Sequence, residues 1–183
     1  MIRISVEKGL EMRLVRDEDA DDLCALVKAN FVHLREWMQW AVEGYSVGHT
    51  RSFIESSVRQ YAKGDSMNLL IELDGEIIGG SGLNFIDRIN RGTEIGYWLD
   101  RGHNGRGIVT KCCRALIGYA FEELGMHRVV VRCASENAKS RAIPERLGFT
   151  EEGMLRECEW LHDRFVDLVV YSLLKQEWEG GEP

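Results

Sequence analysis

The sequence predicts an α/β fold: a mixed, mostly antiparallel central sheet flanked by helices. Three observations carry that expectation. Two apolar runs, Asn68–Leu73 and Glu76–Leu83, flank the turn pair Asp74-Gly75, which is a strong hairpin signal. A third run, Thr93–Leu99, is separated from the Val-rich run Arg128–Cys133 by a long helical period, and a β-α-β arrangement of that kind sets two parallel strands side by side. The 183 residues contain two prolines and no repeat, low-complexity tract or Pro/Gly linker, so one domain is expected.

The elements follow in order. Residues 2–6 alternate apolar and polar, Glu7-Lys8-Gly9 can turn, and Leu10, Met12 and Leu14 alternate again, as in a hairpin. Asp17 is placed to cap a helix bearing Ala20, Leu23 and Val27 on one face. Phe31 to Trp40, with Leu34, Trp37, Met38 and Trp40, reads as a second short helix. Its aromatics suit either core packing or the groove for an incoming peptide, and Arg35 and Glu36 suit either substrate or solvent. Thr50 is placed to cap a third helix carrying Phe53, Ile54, Val58, Tyr61 and Ala62, which Gly64 ends. After the three strands, a helix over 108–124 buries Ile108, Cys112, Ala115, Leu116, Tyr119 and Ala120, and Gly125 stops it. A strand at Arg128–Cys133 and a short helix ending at Leu147 with Gly148 as its cap come next. Met154–Leu161 and Phe165–Leu174 then pair around His162-Asp163-Arg164.

Composition narrows the function classes. The chain is 44% apolar and 29% charged, ordinary for a soluble globular protein. No apolar run reaches the roughly 18 residues of a membrane span, and the N-terminus has no signal-peptide core, so a cytoplasmic location without membrane partners is expected. A net charge of −7 argues against direct nucleic-acid binding and is compatible with a cationic acceptor such as an amine. Five cysteines, at 24, 112, 113, 133 and 158, form no C-x-x-C and read as reduced core thiols, and five histidines without ligand spacing leave no metal site expected. Ser81 in Gly79-Gly80-Ser81-Gly82-Leu83 fails the G-x-S-x-G nucleophile pattern at Leu83.

The most informative stretch is Gly102-His103-Asn104-Gly105-Arg106-Gly107, between the strand ending at Leu99 and the helix opening at Ile108. Backbone N–H groups of such a loop, with the positive end of the following helix, form an anion site suited to phosphate or pyrophosphate. The spacing G-x-x-G-x-G is the reverse of the dinucleotide fingerprint, and no Gly-Lys-Ser/Thr follows. Strand, then x-x-G-x-G, then helix resembles the coenzyme A pyrophosphate loop of the GCN5-related N-acetyltransferases (GNAT). A second pattern, N-x-x-S-x-x-x-x-E-x-L-G-F from Asn137 through Ser140 to Phe149, resembles another signature of that family at the expected distance. His33-Leu34-Arg35-Glu36-Trp37-Met38-Gln39-Trp40, Glu94-Ile95-Gly96-Tyr97-Trp98 and Pro144 resemble the ribosomal-protein N-terminal acetyltransferases of the RimJ and RimL type. The resemblance covers residues 8–175, read as one N-acetyltransferase domain with acetyl-CoA as co-substrate.

The resemblance implies a GNAT fold whose parallel strands splay after a bulge to admit the pantetheine arm, and Gly96 is consistent with such a bulge. Acetyl transfer to an amine needs a neutral nucleophile, a stabilised oxyanion, a thiolate that can leave, and a fixed coenzyme. Coenzyme A is assigned to the backbone amides of Asn104, Gly105, Arg106, Gly107, Ile108 and Val109, with Arg106 adding charge toward phosphate. By resemblance, the strand end Trp98-Leu99 serves pantetheine and the oxyanion, and Asn137 orients the arm. Glu159, in Glu157-Cys158-Glu159-Trp160, resembles the carboxylate of the A-E-Y segment of RimL-type enzymes and is on that ground assigned as base, with Glu94 as alternate base or amine anchor. Ser140 matches a serine that protonates the leaving thiolate or hydrogen-bonds the sulfur. Pro144 has no N–H for the carbonyl of Ser140, so the helix either starts near Ile143 or bends. The acceptor stays open among the N-terminus of a ribosomal protein, a small amine (polyamine, amino acid, antibiotic or toxin), and no acceptor at all in an acyl-CoA-binding module. A homo-oligomer is expected by resemblance.

Overall fold

The structure, a computed structural model, describes residues 2–178. Its eight strands are β1 (Arg3–Glu7), β2 (Leu10–Leu14), β3 (Met67–Leu73), β4 (Glu76–Asp87), β5 (Gly92–Leu99), β6 (Arg128–Ala134), β7 (Thr150–Leu161) and β8 (Arg164–Leu174). The helices are α1 (Ala20–Ala29), α2 (Phe31–Arg35), α3 (Val47–Lys63), α4 (Ile108–Glu122) and α5 (Ala138–Arg146). The strands form one mixed sheet in the order β1-β2-β3-β4-β5-β6-β8-β7, in which only β5 and β6 run parallel.

Alternation along the strands makes two apolar faces. One face carries Met12, Ile71, Leu83, Ile95, Val129 and Val131 and packs on Cys112, Leu116 and Phe121 of α4. The other carries Leu70 and Trp98 and packs on Leu23 and Val27 of α1 and Ile54 of α3. Each fully buried Leu, Ile or Phe contributes about 1.5–3 kcal/mol, so these two seams dominate the packing. Among the described residues no helix is long and apolar enough to cross a membrane.

Local details differ from expectation in instructive ways. Asp17 makes no cap; a 3-10 turn, Asp17–Asp19, leads into α1, and Asp19 accepts the N–H of Arg16 at 2.7 Å. The helix predicted to start at Thr50 starts at Val47 behind Ser46, and Thr50 is buried inside it, donating to the Tyr45 hydroxyl at 3.2 Å. A serine preceding the apolar period by one turn was the better cap. Gly64 does end α3, at φ 77°. Of the five cysteines, four are buried and Cys158 is exposed; all are free thiols.

Candidate active site

The site starts from a broken pairing. β5 and β6 are in register only at Gly92–Arg128, Thr93–Val129 and Glu94–Val130, beyond which they part. Gly96 is not a bulge: the β4–β5 register runs unbroken from Gly79–Leu99 to Asn84–Glu94. The irregularity falls between Asn84 and Asp87, where Phe85 has φ 50°. Asp100 N–H donates to the Ile78 carbonyl at 2.7 Å. By the alternation of an antiparallel ladder, the backbone groups of Gly96 and Trp98 therefore face β4, and those of Tyr97 and Leu99 face the gap. Of the predicted pair, Leu99 thus offers its N–H to the cleft, and Tyr97 takes the place assigned to Trp98. The Trp98 indole instead lies over Gly80, where an added Cβ would sit 2.7 Å from Nε1.

At the mouth of the gap lies the glycine loop. Gly105 and Gly107 have φ of 78° and 75°, the left-handed region that glycine enters without penalty. Gly107 is the N-cap of α4 and has no side chain to cap it, so the N–H groups of Ile108 and Val109 open outward as a helix terminus. Asn104 is held differently: its N–H donates to the Arg101 carbonyl at 3.3 Å and its side chain meets His33 Nε2 at 3.4 Å. Arg106 is exposed. Asp100 anchors the loop, accepting from Asn30 at 2.7 Å and meeting His103 Nδ1 at 2.7 Å. Burial alone would raise the Asp100 carboxyl; the hydrogen bonds from Asn30 and His103 outweigh it and hold it below the usual range.

On the α4 side of the gap three polar groups meet. Ser140 Oγ donates to Tyr97 Oη at 3.2 Å and lies 3.3 Å from Cys133 Sγ. Tyr97 Oη donates to the Ser140 carbonyl at 2.9 Å. Pro144 explains that acceptor: α5 runs unbroken from Ala138 to Arg146, and the carbonyl that Pro144 leaves without a helical donor is taken by Tyr97. Asn137 Oδ1 accepts the Ser140 N–H at 3.1 Å, so Asn137 caps α5. Burial pushes the Tyr97 hydroxyl far above its usual range and raises the Cys133 thiol, so both are neutral at pH 7.

On the opposite side stand the carboxylates. Arg132 clamps Glu94 through Nε at 2.8 Å and through the guanidinium terminus at 2.6 Å. Glu159 is half-buried on β7. Burial raises its carboxyl, Arg132 pulls it back down, and the charge of Glu94 pushes it up again, for a net upward shift. A base with a raised pKa holds an amine proton better, while Glu94 is already committed to Arg132. The β7–β8 turn bends over this side, with His162 Nε2 3.1 Å from the Arg35 carbonyl. Arg35 itself pairs with Glu43 at 3.4 Å.

A cavity of about 1050 Å³ opens on the carboxylate side, between α3, the segment after α2 and the glycine floor of the sheet. Trp40, Tyr45 and Trp98 wall it, so Trp40 faces a pocket rather than the core. Gly80, Gly82 and Gly96 form its floor. A side chain at Gly82 would come within 2.5 Å of the Met67 carbonyl. Sequence reasoning assigned no role to Tyr97, Arg132, Cys133 or His49; the glycines facing each other at Gly82–Gly96 were the readable sign of the cavity. Ser81 is occupied in the sheet, donating to the Gly96 carbonyl at 3.1 Å. Among the described residues no cluster of three His, Cys, Asp or Glu could hold a metal.

A parted parallel pair, a glycine loop at its mouth ahead of α4, and hydroxyl and carboxylate groups on opposite sides of the gap define a class. The chain belongs to the acetyltransferase (GNAT) domain family, whose model matches residues 10–150, and is an acetyl-CoA-dependent N-acetyltransferase. It is 41% identical over 98% of its length to YdaF of Bacillus subtilis (strain 168), provisionally named a ribosomal N-acetyltransferase, and covers 99% of that protein. It is 31% identical to the ribosomal-protein-serine acetyltransferase of Escherichia coli (strain K12), covering 92% of this chain and 94% of the other. Among solved structures, RimL, a ribosomal L7/L12 α-N-protein acetyltransferase in complex with coenzyme A, superposes with TM-score 0.92 at 28% identity over 96% of this chain and 99% of that one.

Proposed function

We propose that this protein, acting as one catalytic unit over residues 8–175, transfers the acetyl group of acetyl-CoA directly to the α-amine of a protein N-terminus, with a ribosomal protein as acceptor. The observation that carries this reading is the division of the cleft: a hydroxyl cluster at Ser140 on one side of the gap and Glu159 with an acceptor-sized cavity on the other. The relatives named above support the acceptor class.

The chemistry follows from that division. The N–H groups from Gly105 to Val109, with Arg106 beside them, would hold the pyrophosphate, and β5 and Asn137 would hold the pantetheine arm. The neutral amine attacks the thioester carbon from the carboxylate side, and the oxyanion takes the Leu99 N–H. A C–N bond forms, the C–S bond breaks, and Glu159 accepts the amine proton. Ser140 gives the departing sulfur a hydrogen bond, or its proton, which solvent then restores to the hydroxyl. An α-amine, with pKa of about 7.7–8.0, is easier to deprotonate than lysine at about 10.4 by some 3 kcal/mol, so one carboxylate suffices.

The test is transfer of labelled acetyl to unacetylated ribosomal proteins, resolved by intact mass. Label on a single N-terminus is the expected result; no label, with coenzyme binding intact, moves the acceptor to a small amine. The loop assignment has its own check. Gly107→Glu puts a carboxylate at the start of α4 and a Cβ on a left-handed residue, and is expected to weaken coenzyme A binding at least about tenfold, or about 1.4 kcal/mol. Unchanged affinity by calorimetry would remove the loop from coenzyme binding.

A further inference from the structure

The acceptor cavity is larger and more apolar than a small N-terminal residue requires. At about 1050 Å³ it lies just above the roughly 300–1,000 Å³ of sites that enclose drug-sized ligands. A Ser or Ala first residue would leave most of it to water. It meets the sheet at Gly96, Tyr97 and Trp98, the strand segment whose other edge lines the cleft, so a group lodged there is close to the reacting amine.

Its chemistry is aromatic and uncharged. Trp40 meets Trp98 edge-on at 5.7 Å, and Tyr45 stacks on His49 at 5.4 Å. Trp40 and Phe53 stay 40% and 41% exposed, large rings left partly open at the cavity. Asn68 and Asn84 line it beside the glycine floor, and their side-chain amides have no hydrogen-bond partner among the described residues. Among the described residues no Asp, Glu, Lys or Arg lines the cavity. A second ammonium group, as in a polyamine, would lose its hydration there without a carboxylate to meet it. A neutral ring would stack on the walls and leave its polar edge to the two amides.

We propose that this cavity is an acceptor subsite for a neutral aromatic ring carried within one or two residues of the amine that is acetylated. The proposal rests on the reading of this face as the amine side of the cleft, and it deepens that reading from any N-terminus to one with a ring near its start.

The test measures kcat/KM with acetyl-CoA for short peptides bearing Gly, Leu, Phe or Trp at the first or second position, together with phenylalaninamide and spermidine. Ring-bearing peptides are expected to exceed the Gly peptide roughly tenfold or more at one of the two positions, with spermidine the poorest acceptor. Ser52→Trp, at an exposed position of α3 that lines the cavity, fills the space and is expected to reduce that preference to within about twofold. Peptides acetylated with a flat preference overturn the subsite while leaving the N-terminal reading intact. Phenylalaninamide acetylated while no peptide is overturns the N-terminal reading and keeps the subsite. Spermidine preferred, or no acceptor acetylated, overturns the subsite.

Discussion

Replacing Glu159 by Gln is expected to lower kcat at least about tenfold, within the range that a positioned general base contributes, and to leave coenzyme A affinity unchanged. The carboxyl stands on the amine side of the gap, away from the glycine loop, so its loss reaches proton removal and not cofactor binding. Stability gives an independent control. Burial raises the folded carboxyl above its usual value, so at neutral pH its ionised form disfavours the fold, and Gln is expected to be neutral or slightly stabilising. In the wild type, turnover should rise with pH as the acceptor amine deprotonates toward about 8, after Glu159 has ionised lower in the range. The variant should keep the amine limb at a lower plateau. A normal rate for Glu159→Gln would take the residue out of the mechanism.

The largest stability effect is expected far from the cleft, at Asp19→Ala. Arg13, 3% exposed, donates to both Asp19 oxygens at 2.7 Å and to Glu72 at 2.7 Å. Asp19 also accepts the Arg16 N–H ahead of α1. Removing this carboxylate leaves the buried guanidinium with Glu72 as its remaining carboxylate partner and opens the helix entrance, at a cost of about 3–5 kcal/mol. For a chain of this size that is roughly 6–20 °C in melting temperature. Burial alone would raise Asp19, but the Arg13 and Arg16 contacts outweigh it and its folded carboxyl lies below the usual 3.8. A depressed pKa contributes stability above the unfolded value, and that contribution is lost as pH falls through the lower folded value. Urea denaturation at pH 7 and at pH 3 therefore checks both sign and size: the gap between wild type and variant should narrow at the lower pH. A loss under about 1 kcal/mol at pH 7 would show that the pair does not hold α1.

The fold was legible because its signals are local. The hairpin at Asp74-Gly75 forms as expected, since the turn residues and the flanking alternation agree. The period over α4 and the Gly107–Ile108 start are equally local. Caps were harder. Thr50 and Asp17 carry the right chemistry for a cap, and so do Ser46 and Asp19; which one is used depends on where α1 and α3 pack against the sheet.

By itself, the sequence determined the mixed sheet and the glycine loop after β5, because spacing along strands and helices is written in the chain; Asn137, Ser140 and Glu159 were assigned to the site by resemblance. Only the tertiary structure decided how those residues are shared out. The Ser140 carbonyl freed by Pro144 meets Tyr97 across 43 positions, Glu94 is held by Arg132 from the neighbouring parallel strand, and the cavity lies where α3 crosses a glycine floor. Those partners are distant in sequence and meet only after β5 and β6 have parted. No local propensity encodes the meeting, since it depends on how the whole sheet twists and what each face is packed against.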